Sequence, residues 1–275
     1  MQMHGRVLIV AGSDSGGGAG IQADIKAVTA LGGFAMTAVT ALTAQNTTGV
    51  LAIHAVPPAF VQEQMCCVLS DLGADCIKLG MLHSSPLIRA VAEVIAAQAP
   101  DVPLVVDPVM VAKGGARLLE PDALADLKRL LIARASLVTP NLPEAELIAG
   151  TSIASLADRR RAASAILAMG ARAVLIKGGH GDEDPLIDLL VEREAGGERA
   201  TEFSSERLST RHTHGTGCTL ASAIATGLAQ GLALAPAVER ARRYVHEAIR
   251  TAPGFGAGHG PLNHAVTVSD RLGAD

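Results

Sequence analysis

The run His212-Thr213-His214-Gly215-Thr216-Gly217-Cys218 leads into a helix of small residues at 219–227. Gly215 and Gly217 let the backbone turn sharply, so that several N–H groups aim at one point, and the helix N-terminus adds partial positive charge. Such a place suits an anion whose charge peaks in a transition state. The same residues also suit an ordinary helix start with glycine caps. Cys218 falls in the first turn, where the helix dipole is expected to lower a thiol pKa. A thiol beside a transferred group can accept a hydroxyl proton from a substrate; a buried structural cysteine is the plainer alternative. A second glycine cluster, at 12–20, sits between a strand pattern and a helix pattern at 21–30. It is not a dinucleotide fingerprint: the third glycine would fall on Ile21, and no acidic residue follows a second strand about twenty positions on, since Asp24 lies inside the first helix. The phosphate-loop pattern G-x-x-x-x-G-K-[ST] occurs nowhere in the chain.

The elements that must position these loops are legible as alternating patterns. Short apolar runs predict strands at 6–11, 35–41, 52–56, 75–79, 104–107, 137–139, 173–177 and 187–191. Helical periodicity appears at 87–98, opened by Ser85-Pro86 as cap and first-turn proline, at 123–135, and at 157–169, closed by Gly170. From 75 onward the strands are continuous apolar runs, which predicts a parallel sheet covered on both faces by helices. The polar stretch 192–210, with Gly196-Gly197 as its turn, predicts an antiparallel edge hairpin. The expected architecture is one α/β/α domain over 1–275, a mostly parallel sheet with a small antiparallel edge. In such sheets ligands bind at the carboxyl ends of the strands.

Composition narrows the class. The 275 residues are 49% hydrophobic and 18% charged, as in a globular protein with a sizeable core. A net charge of −4 gives no electrostatic reason to expect nucleic acid as a partner. The four cysteines, Cys66, Cys67, Cys76 and Cys218, form no C-x-x-C pair, and a reducing cytoplasm is the expected compartment. The apolar run after Arg6 is too short for a signal peptide and opens into Gly12-Ser13-Asp14. No apolar stretch reaches the ~18 residues needed to span a membrane.

Seven motifs in fixed order carry a resemblance across about 6–264: AGSDSGGGAGIQAD at 11–24, TALTAQNT at 40–47, KLGML at 78–82, DPVM at 107–110, TPNLPEA at 139–145, KGGH at 177–180 and HGTGC at 214–218. Together they resemble the hydroxymethylpyrimidine/phosphomethylpyrimidine kinases of thiamine biosynthesis, a branch of the ribokinase-like superfamily. The resemblance implies a three-layer ribokinase-like fold, MgATP, a small pyrimidine substrate phosphorylated first on its alcohol and then on its monophosphate, and a homodimer. It implies that Gln45 recognises the aminopyrimidine, whose amino group and ring nitrogen complement a carboxamide. Asp24 and the backbone at Gly12 are the implied further polar contacts, with Met81 and Val109 as apolar walls. Asn141, Glu144 and Asp107 are implied around the nucleotide, with Glu144 and Asp107 reaching Mg²⁺ through water. Lys177 is the implied ATP-phosphate lysine, and Gly215, Thr216, Gly217 and Cys218 form the implied transfer centre. Most sugar kinases of the superfamily carry Asp where Cys218 stands, which points to the pyrimidine and pyridoxal branches. A pyridoxal kinase, a non-catalytic nucleotide-binding module and a dehydrogenase are the competing readings. Gln45 favours the pyrimidine over a pyridine ring, which lacks the amino-plus-nitrogen edge.

Overall fold

The first strand shows how the interior is divided. In β1 (Arg6–Asp14), Leu8 and Val10 join one hydrophobic cluster while Val7 and Ile9 join another, and all four side chains are fully buried. Alternate residues of a strand face opposite sides, so a continuous apolar run fills two cores at once. The structure, a computed structural model, describes residues 3–111, 115, 117–179 and 185–268.

β1 pairs in parallel with β2 (Phe34–Asn46) and β4 (Cys76–Leu79). The parallel run continues through β5 (Leu104–Val106), β6 (Leu137–Val138) and β7 (Ala173–Ile176). Both edges are antiparallel. β3 (Gly49–Ala55) folds back on β2, and the hairpin β8 (Leu186–Glu194) and β9 (Gly197–Ser205) closes the other side. The sheet order is β3-β2-β1-β4-β5-β6-β7-β8-β9. Among the described residues, five helices cover one face: α2 (Pro58–Asp71), α3 (Ser85–Gln98), α4 (Ala123–Asp126, prolonged by a π turn over Leu127–Leu131 and a 3₁₀ turn over Ile132–Arg134), α5 (Leu142–Ala149) and α6 (Leu156–Ala168). The other face carries α1 (Gly20–Ala30), α7 (Thr216–Ala229) and α8 (Leu234–Arg250).

Several elements depart from the sequence expectations. β2 runs on to Asn46, so Gln45 sits on a strand paired with β3 rather than in a loop. The edge hairpin begins at Leu186, because the apolar run 187–191 is itself its first arm. Helices α2 and α8 were not anticipated. α8 buries Ala237, Val238, Ala241, Tyr244, Val245 and Ala248 at helical spacing and carries its arginines outward or at the rim, so its amphipathic signal was available.

One polar group is sealed inside the sheet–helix interface. Lys78 of β4 and Asp24 of α1 have no solvent exposure, and both carboxylate oxygens lie 2.9 Å from Lys78 Nζ. Ser222 Oγ of α7 donates a third bond to Asp24, 2.7 Å. Burial works against the Lys78 charge, but Asp24, with Cys218 and Asp107 adding to it, outweighs this and raises the lysine pKa. Asp24 is therefore not available as the substrate contact expected of it: its oxygens are spent on tying β4, α1 and α7 together. Lys78→Met alone should cost about 3–5 kcal/mol in urea unfolding, because it strands a buried carboxylate. Adding Asp24→Leu should recover most of that loss; a double variant as unstable as the single one would contradict the assignment.

Candidate active site

The carboxyl ends of β1, β2, β4, β5, β6 and β7 converge on the N-terminus of α7. The first four amides of a helix have no intrahelical partner, and here they belong to Gly215, Thr216, Gly217 and Cys218; Thr216 N–H donates outside the helix to Thr213 O at 3.4 Å, and the first intrahelical bond is Thr219 N–H to Gly215 O, 2.9 Å. Gly215 is the cap residue, with φ +81°, and an added Cβ would stand 1.8 Å from Gly18 O. Only glycine satisfies both the left-handed conformation and the backbone contact.

On one side of this helix start lies a charged cluster. Asp107, just past β5, accepts from Lys177 Nζ at 3.0 Å and from Thr139 Oγ1 at 3.2 Å. Lys177, at the end of β7, is held through its amide to Pro140 O, 2.9 Å. An added Cβ on Gly217 would lie 3.3 Å from Lys177 Nζ and 3.7 Å from Asp107 Oδ2, so the cluster touches α7 directly. Asn141 caps α5 in a reciprocal box: its side chain accepts from Glu144 N–H at 2.9 Å, and Glu144 Oε2 accepts from Asn141 N–H at 2.8 Å. Burial pushes the Glu144 carboxyl up to about 7, with the Lys177 charge opposing it and Asp107 adding to it. Burial also opposes the Lys177 charge, but Asp107 and Glu144 outweigh it and raise the lysine pKa. One lysine thus serves two buried carboxylates, and the excess negative charge suits a hydrated cation. Among the described residues no group of three or more His, Cys, Asp or Glu forms a metal cage. Magnesium, which keeps its waters and takes phosphate oxygens, fits such a sparse donor set.

On the other side lies a mostly apolar slot. Met81 packs with Ala41 and Leu118, and Val109 lies against them. An added Cβ on Gly12 would be 3.1 Å from Met81 Sδ, so the β1 backbone forms the slot floor. Gln45 closes it, with Nε2 3.3 Å from His214 Nε2 and Oε1 3.2 Å from Thr43 Oγ1. The structure therefore places Gly12 against Met81, with Val109 in the same cluster, sets Gln45 against His214 before α7, and gathers Asp107, Asn141, Glu144 and Lys177 beside Gly217. His180 of the KGGH motif lies outside the described residues.

Cys218 departs from expectation. Instead of a thiol lowered by the helix dipole, burial pushes it up to about 12; the Lys78 charge opposes this, while the Asp24 and Asp107 carboxylates add to it. The thiol is protonated at neutral pH. Two residues inside the motifs were given no role from sequence. Asp14, almost fully buried, accepts from the amides of Gly16 (2.8 Å), Gly18 (3.1 Å) and Ala19 (2.8 Å), and from His214 Nε2 at 2.8 Å. An aspartate two residues before a glycine run is the signal of such an Asx turn. The glycine run is wrapped around this carboxylate.

The Phosphomethylpyrimidine kinase family profile matches residues 14–263. The chain is 51% identical over 267 residues to a bifunctional thiamine-biosynthesis protein of Geobacter sulfurreducens, covering 97% of this chain and 54% of that protein. It is 46% identical over 260 residues to the hydroxymethylpyrimidine/phosphomethylpyrimidine kinase of Bacillus subtilis, covering 94% of each. Among solved structures, an ADP complex of Bacillus subtilis pyridoxal kinase superposes with a TM-score of 0.87 at 32% identity, over 95% of this chain and 98% of that one. Phosphomethylpyrimidine kinase from Clostridium difficile superposes with 0.79 at 40% identity, over 89% and 99%. Fold and site define a phosphotransferase of the ribokinase-like fold. The chain belongs to the phosphomethylpyrimidine kinase family.

Glu144 yields a pH prediction. Its folded value of about 7 lies above the ordinary 4.5, so the folded protein binds this proton more tightly than the unfolded chain. Its stabilising contribution is complete below the ordinary value and is lost as pH rises through about 7. Glu144→Gln cannot ionise, so its stability relative to the parent should rise between about pH 5 and about pH 8, by at most roughly 3 kcal/mol in urea titrations. Parallel pH profiles for the two proteins would contradict the raised value.

Proposed function

We propose that the protein transfers the γ-phosphoryl group of ATP to the hydroxymethyl oxygen of 4-amino-5-hydroxymethyl-2-methylpyrimidine, and then a second phosphoryl group to the monophosphate. The observation that supports this most is the double contact of the α7 N-terminus, through His214 to Gln45 and through Gly217 to Lys177 and Asp107. A phosphoryl group in transit between the slot and the charged cluster would pass the amides of Gly215, Gly217 and Cys218. The pyrimidine would stack between Met81 and Val109 over Gly12, with its amino group and ring nitrogen paired to Gln45. With one Tyr and no Trp in the chain, an aliphatic slot takes the place of an aromatic shelf.

Lys177 would neutralise the triphosphate, and Asn141 and Asp107 would border it. Asp107 and Glu144 would hold Mg²⁺ through its waters, and the ion would supply charge neutralisation on the phosphates. The substrate oxygen attacks the γ-phosphorus as the bond to the β-bridging oxygen breaks and ADP leaves. Such transfers depend on positioning and electrostatics, with a loose transition state in which the hydroxyl proton leaves late. A thiol held near 12 does not take that proton at neutral pH. Cys218 therefore acts by position, packing the transferring group, and the proton leaves with the product phosphate.

A pyridoxal kinase is the second reading, favoured by the superposition on Bacillus subtilis pyridoxal kinase; Gln45 supports the pyrimidine instead. A homodimer is also proposed, on the apolar side chains that the β2–β3 edge exposes, Leu42 and Leu51, with Phe60 nearby in sequence on α2. A cytoplasmic location accords with four free cysteines. No helix of the described residues is long and apolar enough to cross a membrane.

Coupled ADP-release assays of Cys218→Ala should show kcat lowered by a similar factor, on the order of tenfold, with the alcohol and with the monophosphate. A loss confined to the alcohol would instead make Cys218 a proton acceptor. The absence of ADP release from the parent protein with either pyrimidine would overturn the functional reading.

A further inference from the structure

The contacts of the Gln45 carboxamide contain two mismatches with one common solution. Asp14, though buried, receives three backbone N–H groups, so it is a carboxylate and can only accept. Burial works against its charge, but the bond from His214 and the amides of Ala19 and Gly16 outweigh this and hold its pKa below the usual carboxylate range. His214 Nε2 stands 2.8 Å from Asp14 Oδ2, so that nitrogen must carry a proton whether the ring is neutral or charged. A protonated Nε2 has no lone pair left for Gln45, yet the Gln45 amide nitrogen, itself only a donor, faces it at 3.3 Å. The second mismatch is at Thr43. Its hydroxyl lies 2.9 Å from Ser13 O, where it must donate, and 3.2 Å from Gln45 Oε1, which also needs a donor. One hydroxyl hydrogen cannot serve both.

A half-turn of the carboxamide removes both conflicts, because its oxygen and nitrogen are nearly equal in size and exchange places. The oxygen then faces His214 Nε2–H, which it shares with Asp14, and the nitrogen donates to Thr43 Oγ1. A carboxamide has two lone pairs and two N–H bonds. His214 and Thr43 engage one of each, leaving one lone pair and one N–H side by side toward the slot.

We infer that His214, with its Nε2 proton committed to Asp14, is a positioning residue that fixes which end of Gln45 meets the substrate ring. The ring amino group then lies on the His214 side and the ring nitrogen on the Thr43 side. The same histidine immediately precedes Gly215, so ring selection and the anion-binding amides share one short segment. Its backbone is anchored by a bond from His214 N–H to Gly260 O, 3.1 Å, and its ring packs on Gly18, where an added Cβ would meet Cδ2 at 2.6 Å. The inference rests on the proposed function only for the identity of the ring.

Two measurements test it. In the parent protein, ¹⁵N-resolved spectra of the His214 imidazole should show Nε2 protonated, and the Gln45 side-chain amide protons should give cross-relaxation to Thr43 and not to the His214 ring. An unprotonated Nε2, or amide protons close to His214, overturns the inference irrespective of the substrate. Calorimetric binding of the aminopyrimidine alcohol and of its analogue lacking the amino group supplies the second. The parent should prefer the amino compound by on the order of tenfold or more, and His214→Phe should reduce that preference to within about threefold by weakening the amino compound more than its analogue. An unchanged preference in a folded His214→Phe variant overturns the positioning role, as does an equal loss for both pyrimidines. If the parent binds neither pyrimidine, the functional reading fails and the spectra alone decide the positioning.

Discussion

The Asp14 carboxylate is the point on which the site depends. It gathers the amides of the first glycine loop and takes the His214 proton, so a loop after the first strand and a loop before α7, 200 residues apart, are closed on one another. The contact that results is backbone on backbone, at Gly18 and Gly215, with no room for a side chain. That closure sets where the free amides of α7 point and how far they stand from Gln45 on one flank and Lys177 on the other. A carboxylate in a nest of amides is more stable than a neutral loop would be, because each bond involves a full charge.

Around this closure, buried charge is used in two different ways. Lys78 and Asp24 cancel each other, are completed by Ser222, and hold elements together without meeting a ligand. Lys177, Asp107 and Glu144 do not cancel: two carboxylates share one ammonium, and burial, with Asp107 adding to it, raises the Glu144 pKa. An unbalanced cluster at strand ends waits for an external charge, whereas a balanced one deep in the core is architecture. Cys218 lies between them, and burial among carboxylates outweighs any help from the helix dipole or from Lys78.

Much of this was legible in the sequence. Continuous apolar runs predicted the parallel strands, since a strand buried on both faces has no polar alternation to display. The Asn141-x-x-Glu144 spacing is that of a helix cap and its third-position acid, and the structure shows the capping box. Gly215 was legible because a positive φ and a close backbone approach leave one residue type. Asp24 was not, because nothing in a sequence says that a lysine fifty-four residues later will consume it. The same holds for His214 and Asp14: the motifs contained them, but their pairing exists only across the folded loops. The expected lowering of the Cys218 thiol is not seen because a helix dipole is a local property, while desolvation depends on the packed surroundings.

The central claim is that one helix start joins a pyrimidine-reading slot to a phosphate-handling cluster. Phosphorus-31 spectra of a reaction containing MgATP with equal amounts of the aminopyrimidine alcohol and pyridoxal test it most directly. The account predicts successive resonances of the pyrimidine monophosphate and diphosphate, with pyridoxal phosphate trailing far behind. Pyridoxal phosphate as the leading product, or ATP hydrolysed to free phosphate with neither alcohol modified, would contradict it.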